Sequence, residues 1–349
     1  MRENRLSSVP RTPGPWLGIN RLGSVLHNKG MWQRLVDYLF LMRPTLLFPV
    51  WAFLLIGFHR GRFQGLLDLK PILTAPKPLI LGFLAYSLLM SATYVVNQIY
   101  DRETDRQNRK LFLLADGLLP VSGAWRFTVL LVFLSWMGLI PLRSLPQFPQ
   151  ILGLWTLSGL LGAAYSVPPV RLKARPLWDL LANALGYGGL NVAFGMALAG
   201  PVPPFFWVQT LPYILAVGAV FLLTTLADVP GDRATGARTT GVVLGEARTA
   251  LLALLLLSSA LLVAFRVHCP LVFWAALASW PLYLATCFRP HDRRWVPFAF
   301  RLSGALFGIL VALKFPLFLG LSALTVLAMK LYYRQRFGIN YPSLKEDRP

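Results

Sequence analysis

Ten stretches of this chain run for close to the thickness of a hydrocarbon layer with almost no charge: 45–58, extended backwards by 39–42, then 79–96, 127–142, 151–165, 180–198, 205–227, 250–267, 271–287, 298–313 and 316–332. A helix needs about 20 apolar residues to cross a bilayer core, and inside that core every backbone N–H and C=O must be satisfied within the segment. A water-soluble core of this size would instead show one polar face per helix, and runs such as 251–265 have almost none. The fold class that follows is all-α, a polytopic membrane bundle. The last two runs are separated only by Lys314-Phe315-Pro316, which reads as a broken unit or a tight hairpin, giving nine or ten crossings.

Charge sharpens the picture. The formal net charge is +20, which in a soluble domain would raise nucleic acid as a partner. Here the cations sit at the ends of apolar runs, as expected for loops kept on the cytoplasmic side of an inner membrane. The lipid bilayer and an anionic substrate are the partners this implies, with no nucleic acid. Arg60, Arg62, Lys70 and Lys77 form a basic loop on the other side, an exception to that pattern. Cys269 and Cys287 lack metal-like spacing, and His27, His59, His268 and His291 are dispersed, so a thiolate or imidazole metal site has no support. Residues 1–33 carry no signal-like apolar core and are expected to be a cytoplasmic segment, flexible or an interfacial helix. Residues 34–332 read as one transmembrane domain and 333–349 as a basic cytoplasmic tail.

Against this background the acids stand out. Of 14 in the chain, five fall at the ends of two apolar runs: Asp101, Glu103 and Asp105 after the second, Asp228 and Asp232 after the sixth. If the helices continue past the membrane, residues four apart share a face, so Asn97, Asp101 and Asp105 form one oxygen-lined stripe and Asp228 and Asp232 another. Either stripe alone could be a solvated helix end paired with its arginines. An Asp at the middle of a membrane helix costs roughly 2.5–3.5 kcal/mol, so acids this close to apolar runs belong at the interface or around a hydrated cavity. Hard oxygen donors suit Mg²⁺, which takes one or two carboxylates and completes its shell with water and phosphate. Two facing pairs would grip a diphosphate, and ionisation of an allylic diphosphate is the chemistry that needs such a grip. The two pairs also suggest two four-helix halves related by a weak internal repeat.

Between the pairs lies Tyr165-Ser166-Val167-Pro168-Pro169-Val170-Arg171-Leu172-Lys173-Ala174-Arg175, a stiff loop presenting three cations. The fifth run contains Asn183, Gly186, Gly188, Gly189, Asn191 and Gly195. Small residues there serve close helix packing, and the two amides read either as packing groups or as the wall of an acceptor pocket.

These elements resemble the signature motifs of the UbiA superfamily of intramembrane prenyltransferases: Asn97-x3-Asp101-x3-Asp105, Tyr165-Ser166-x-Pro168-Pro169-x-Arg171-Leu172-Lys173, and Asp228-x3-Asp232 followed by Gly236-x-Arg238-Thr239-Thr240. The resemblance spans about residues 35–315. It implies nine helices around a central cavity open laterally to lipid, and Mg²⁺-dependent transfer of a prenyl group from a polyprenyl diphosphate to an acceptor. Carried over, Asn97, Asp101 and Asp105 would hold one metal–diphosphate face and Asp228 and Asp232 the other. Tyr165, Arg171 and Lys173 would lie near the diphosphate or the developing cation, with Arg109 and Lys110 helping to neutralise the leaving group. Gln98 stands where many members carry an acid, and the stretch after Phe315 adds a helix. The leading acceptor is an aromatic quinone-precursor ring; a tetrapyrrole carboxylate, a glycerol phosphate lipid and a sugar phosphate are the alternatives. Two rivals bear on the same acids. A soluble polyprenyl synthase conflicts with the hydropathy, and a transporter predicts acids near helix centres.

Overall fold

The structure is a computed structural model that describes residues 30–62, 72, 74–107, 112–234, 236–339 and 341. The interfacial helix considered for the amino-terminal segment, and the cations Arg109 and Lys110, lie outside the described residues. Among the described residues there is no strand. The principal helices are α1 (Met31–Leu41), α2 (Leu47–Arg62), α3 (Lys77–Gln107), α4 (Val121–Leu139), α5 (Phe148–Ser166), α6 (178–199), α7 (Phe206–Ala234), α8 (Glu246–Arg266), α9 (Pro270–Phe288), α10 (Trp295–Lys314) and α11 (Pro316–Phe337).

Among the described residues eight helical stretches are long and apolar enough to cross a membrane, α1 and α2 counting as one. Helices α5 and α6, also expected as crossings, fall short of that measure: α5 carries Thr156 and Ser158, and α6 is interrupted. The chain is an integral membrane protein. Side-chain and backbone hydrogen bonds pin the helix ends in two layers. At one end Lys173 meets Asp101, Asp179 meets Thr240, and Tyr332 donates to Asp37. At the other, Gln150 bonds Val202, and the Ile72 amide donates to the Lys314 carbonyl. Helix α11 therefore doubles back beside α10, and Lys314-Phe315-Pro316 is a hairpin turn, leaving the tenth helix separate from the ninth.

The basic loop on the far side gains a physical account. Arg60 donates to the carbonyls of Val267 at 2.8 Å and His268 at 3.1 Å, capping the negative end of α8. Its charge is bound to a helix terminus and is no marker of topology.

Helix α3 sets the geometry of the site. At 1.5 Å per residue its 31 residues span about 46 Å, well beyond a core of about 30 Å. Its last turns therefore carry Asn97, Asp101 and Asp105 out of the hydrocarbon without breaking the helix. Helix α7, 29 residues long, does the same for Asp228 and Asp232, continuing through Pro230.

Helix α6 is two α-helical pieces, Trp178–Asn183 and Val192–Ala199, joined by a wider π-helical stretch, Ala184–Asn191. The glycines here serve packing. A Cβ on Gly188 would lie 2.6 Å from the backbone of Ile214 on α7, and one on Gly195 would lie 2.1 Å from the Leu54 carbonyl on α2. Two apolar clusters result. One joins α2, α3 and the last piece of α6 around Val50, Ile56, Tyr86 and Phe194. The other joins α7, α8, α9 and α10 around Leu222, Ala253, Tyr283 and Ala299.

The outermost helix is fastened by charge. Arg336 on α11 bonds the Asp37 carboxylate of α1 at 3.2 and 3.1 Å, Tyr332 donates to the same carboxylate at 2.7 Å, and the Phe40 and Tyr332 rings stack with centroids 3.7 Å apart. Asp37 and Arg336 are both buried. The boundary expected at residue 332 thus falls inside a helix, and Arg336 belongs to the packed body.

Candidate active site

A cavity of about 530 Å³ opens where the ends of α3 and α7 face each other. Asn97 and Asp101 line one wall; Asp228 and Asp232 line the other. Asp105, one turn further out on α3, is half-buried and lies beyond the cavity wall. All these acids stand at helix ends, where the transporter reading needs them at helix centres.

Each side chain has a stated reason for its position. The Asn97 amide donates to Ser166 Oγ at 3.1 Å, tying α3 to the end of α5. Lys173 Nζ lies 2.5 Å from Asp101 Oδ1, and Arg171 lies 3.5 Å from the same oxygen. Thr239 donates to Asp232 Oδ2 at 2.8 Å. The loop that delivers the cations is built from two consecutive tight turns, with the Arg171 amide bonded to Val167 O and the Ala174 amide to Arg171 O. It contains a cis Pro168–Pro169 bond, and Arg171 adopts φ 38°, in the left-handed region. Burial holds the Lys173 ammonium below the usual lysine range, and Asp101 offsets part of that effect.

Deeper in, the walls turn apolar and aromatic: Leu46, Met90, Leu161 and Phe221 with Tyr86, Tyr94, Tyr165 and Tyr187. Tyr94 and Tyr187 share a hydrogen bond of 2.8 Å, and Tyr86 donates to Ser158 at 2.9 Å. The phenols are thereby held in fixed orientations.

Of the two amides considered for an acceptor pocket, Asn183 lines the cavity and Asn191 does not. The Asn191 amide donates to the Val50 carbonyl at 3.0 Å in the α2–α6 contact and is 1% exposed, so it is a packing group. Arg171 stays at the rim, reaching Asp101 without lining the cavity.

Among the lining residues outside the sequence motifs are Arg43, Asp179 and Tyr187. Arg43-Pro44 interrupting an apolar run was a visible cue, as was Asp179 standing four positions before Asn183. The Tyr94–Tyr187 pair joins α3 to the π-helical stretch of α6, and no local pattern announces it.

The donor set fits magnesium. It is all oxygen, from Asn97 and Asp101 on one wall and Asp228 and Asp232 on the other, with Lys173 beside them. Such donors suit Mg²⁺, which completes its shell with water and substrate phosphate.

The profile of the UbiA prenyltransferase family matches residues 68–295. The chain is 32% identical over 181 residues to the 2-acylphloroglucinol 4-prenyltransferase of Humulus lupulus, a match covering 50% of this chain and 42% of that protein. It thus spans less than half the length of that relative. It is 29% identical over 252 residues to the bacteriochlorophyll synthase 33 kDa chain of Cereibacter sphaeroides, covering 67% of this chain and 74% of the relative. A UbiA homologue from Archaeoglobus fulgidus, solved bound to GPP and Mg2+, has the same fold, with a TM-score of 0.60, 20% identity, and coverage of 79% of this chain and 98% of that one.

Proposed function

Because this chain belongs to the UbiA prenyltransferase family, we propose that it moves a polyprenyl group from an allylic diphosphate to an acceptor within the membrane, with Mg²⁺ as the metal. One observation carries the reading: a single cavity joins Asn97 and Asp101 on one wall and Asp228 and Asp232 on the other to an apolar, tyrosine-lined interior. Anionic head and hydrocarbon tail each find a matching environment.

In this mechanism Asn97, Asp101 and Asp105 would hold metal on one side and Asp228 and Asp232 on the other. When bound, the metal would supply neutralisation of charge on the departing diphosphate oxygens. Lys173 and Arg171 turn from Asp101 to phosphate oxygens, where charge-assisted hydrogen bonds are strong. Arg109 and Lys110 are proposed as further diphosphate contacts. The allylic C–O bond breaks and its electron pair leaves with the diphosphate. The faces of Tyr86, Tyr94, Tyr165 and Tyr187 then stabilise the allylic cation, as ring quadrupoles do for other cations. The apolar lining excludes water, which would otherwise quench it. An electron-rich acceptor carbon forms the new bond, and its proton leaves to the released diphosphate.

An aromatic ring is the favoured acceptor, supported by the phloroglucinol ring in the name of one relative; a tetrapyrrole carboxylate is the alternative, supported by the other. Asn183 faces this acceptor. The basic helix ends support an inner-membrane location with the acidic motifs on the cytoplasmic side, and residues 34–332, with the end of α11 that packs onto them, act as one catalytic domain.

The experiment is incubation of membranes holding the protein with labelled prenyl diphosphates and a panel of phenolic and carboxylate acceptors, with and without Mg²⁺, followed by mass analysis of the lipid extract. A prenylated acceptor that forms only with metal is expected. Unchanged acceptors across the panel would overturn the reading.

A further inference from the structure

Asp179 is 1% exposed and sits in the first turn of α6, where the metal-binding set does not use it. Its carboxylate accepts three hydrogen bonds, from the Leu180 amide at 2.8 Å, the Thr240 amide at 2.9 Å and the Thr240 hydroxyl. Both oxygens are thus tied to neighbouring backbone and to Thr240. Thr240, itself fully buried, accepts the Leu177 amide on its hydroxyl oxygen at 2.7 Å. Leu177 has φ 68°, in the left-handed region, a strained backbone that persists only where surrounding bonds over-determine it.

Two arms leave this knot. Through Leu177 it holds the end of the loop whose Lys173 and Arg171 engage Asp101. Through the neighbouring Thr239 it holds Asp232. The segment is pressed onto α7 by Gly241, where a Cβ would lie 2.8 Å from the Thr225 methyl. The loop motif and the second acidic motif, distant in sequence, thus share one buried anchor.

From this arrangement we infer that Asp179 and Thr240 form a positioning pair that couples the two acid-bearing walls of the cavity. The inference rests on the functional reading above. Metal ligands generally depend on the groups that orient them, and losing such a partner costs about 10–100-fold in metal affinity. Here one pair orients both walls, so its loss should disturb the Lys173 loop and Asp232 together.

The test compares Thr240→Val, which keeps the volume but removes both hydroxyl bonds, with Thr240→Ser, which keeps them. Thr239→Val, which severs only the arm to Asp232, is the second variant. Amide hydrogen exchange over 172–180 and 236–241 is measured on metal-free solubilised protein. Binding of the unreactive analogue geranyl thiodiphosphate is measured as Mg²⁺ is titrated. Thr240→Val should speed exchange in both segments and raise the Mg²⁺ half-saturation about tenfold, with Thr240→Ser close to wild type. Thr239→Val should raise the half-saturation while leaving exchange over 172–180 unchanged. Wild-type exchange over 172–180 in Thr240→Val, or an unshifted Mg²⁺ titration, overturns the coupling. If Thr240→Val does not fold, faster exchange over 172–180 in Thr239→Val overturns it equally. Wild-type protein that binds the analogue without regard to Mg²⁺ overturns the functional reading instead, a result the exchange data do not share.

Discussion

Lys173 Nζ stands 2.5 Å from Asp101 Oδ1, so the cation assigned to the diphosphate is holding the carboxylate assigned to the metal. The two roles compete for one oxygen. Removing the lysine should therefore have opposite effects on the two ligands. In Lys173→Met the prenyl diphosphate KM should rise about 10–100-fold, the value of one charge-assisted hydrogen bond of roughly 1.5–3 kcal/mol, while Mg²⁺ binding measured without substrate should tighten. Metal binding that weakens in this variant would show that Lys173 supports the site by structure alone.

The same lysine sets an alkaline limit. Because burial lowers its pKa, the ammonium is lost at a lower pH than that of an exposed lysine, and kcat/KM should fall as pH rises through that value. Lys173→Arg keeps its charge throughout this range, so the alkaline limb should move to higher pH. A pH–rate profile of the two proteins decides it, and an unmoved limb would assign the titration elsewhere.

Asp101 and Asp228 come from different helices yet line one cavity. Alanine at either should lower Mg²⁺-dependent turnover by more than about a hundredfold, since metal stabilisation of the leaving group is worth several kcal/mol. Both variants should still insert and melt near wild type. Retained turnover in either variant would reject the paired clamp.

Asp37 and Arg336 are a buried ion pair, with side chains 3% and 5% exposed. Removing one partner of such a pair costs about 3–5 kcal/mol, and replacing both with apolar residues can be close to neutral. Asp37→Ala should lower the melting temperature in detergent, and Asp37→Leu combined with Arg336→Met should recover most of the loss. Equal melting of single and double variants would mean that α11 is held chiefly by the Phe40–Tyr332 stack.

What the sequence discloses and what it hides follow from the range of the interactions. Each membrane helix is announced by its own apolar run, and Asp101 and Asp105 or Asp228 and Asp232 by a spacing of one helical turn. Both are local signals. The interruption of α6 is not, because Gly188 and Gly195 are chosen by the Ile214 and Leu54 backbones they meet. Nor is the fate of Asn191, whose partner is Val50 on another helix. From the sequence, Asn183 and Asn191 read alike, as packing groups or as pocket amides; in the structure one lines the cavity and the other enters a helix contact. Tyr187 is hidden for the same reason, since its partner Tyr94 lies 93 positions away.

The clasp between α1 and α11 also constrains how the molecule is made. Asp37 leaves the ribosome 299 residues ahead of Arg336, so during most of synthesis its carboxylate lacks the guanidinium that later surrounds it. Until then that carboxylate is better kept hydrated at the bilayer surface, and its seat beside Tyr332 and Arg336 can be taken only when translation of α11 is complete. Arrival of α11 is thus the event that closes this clasp.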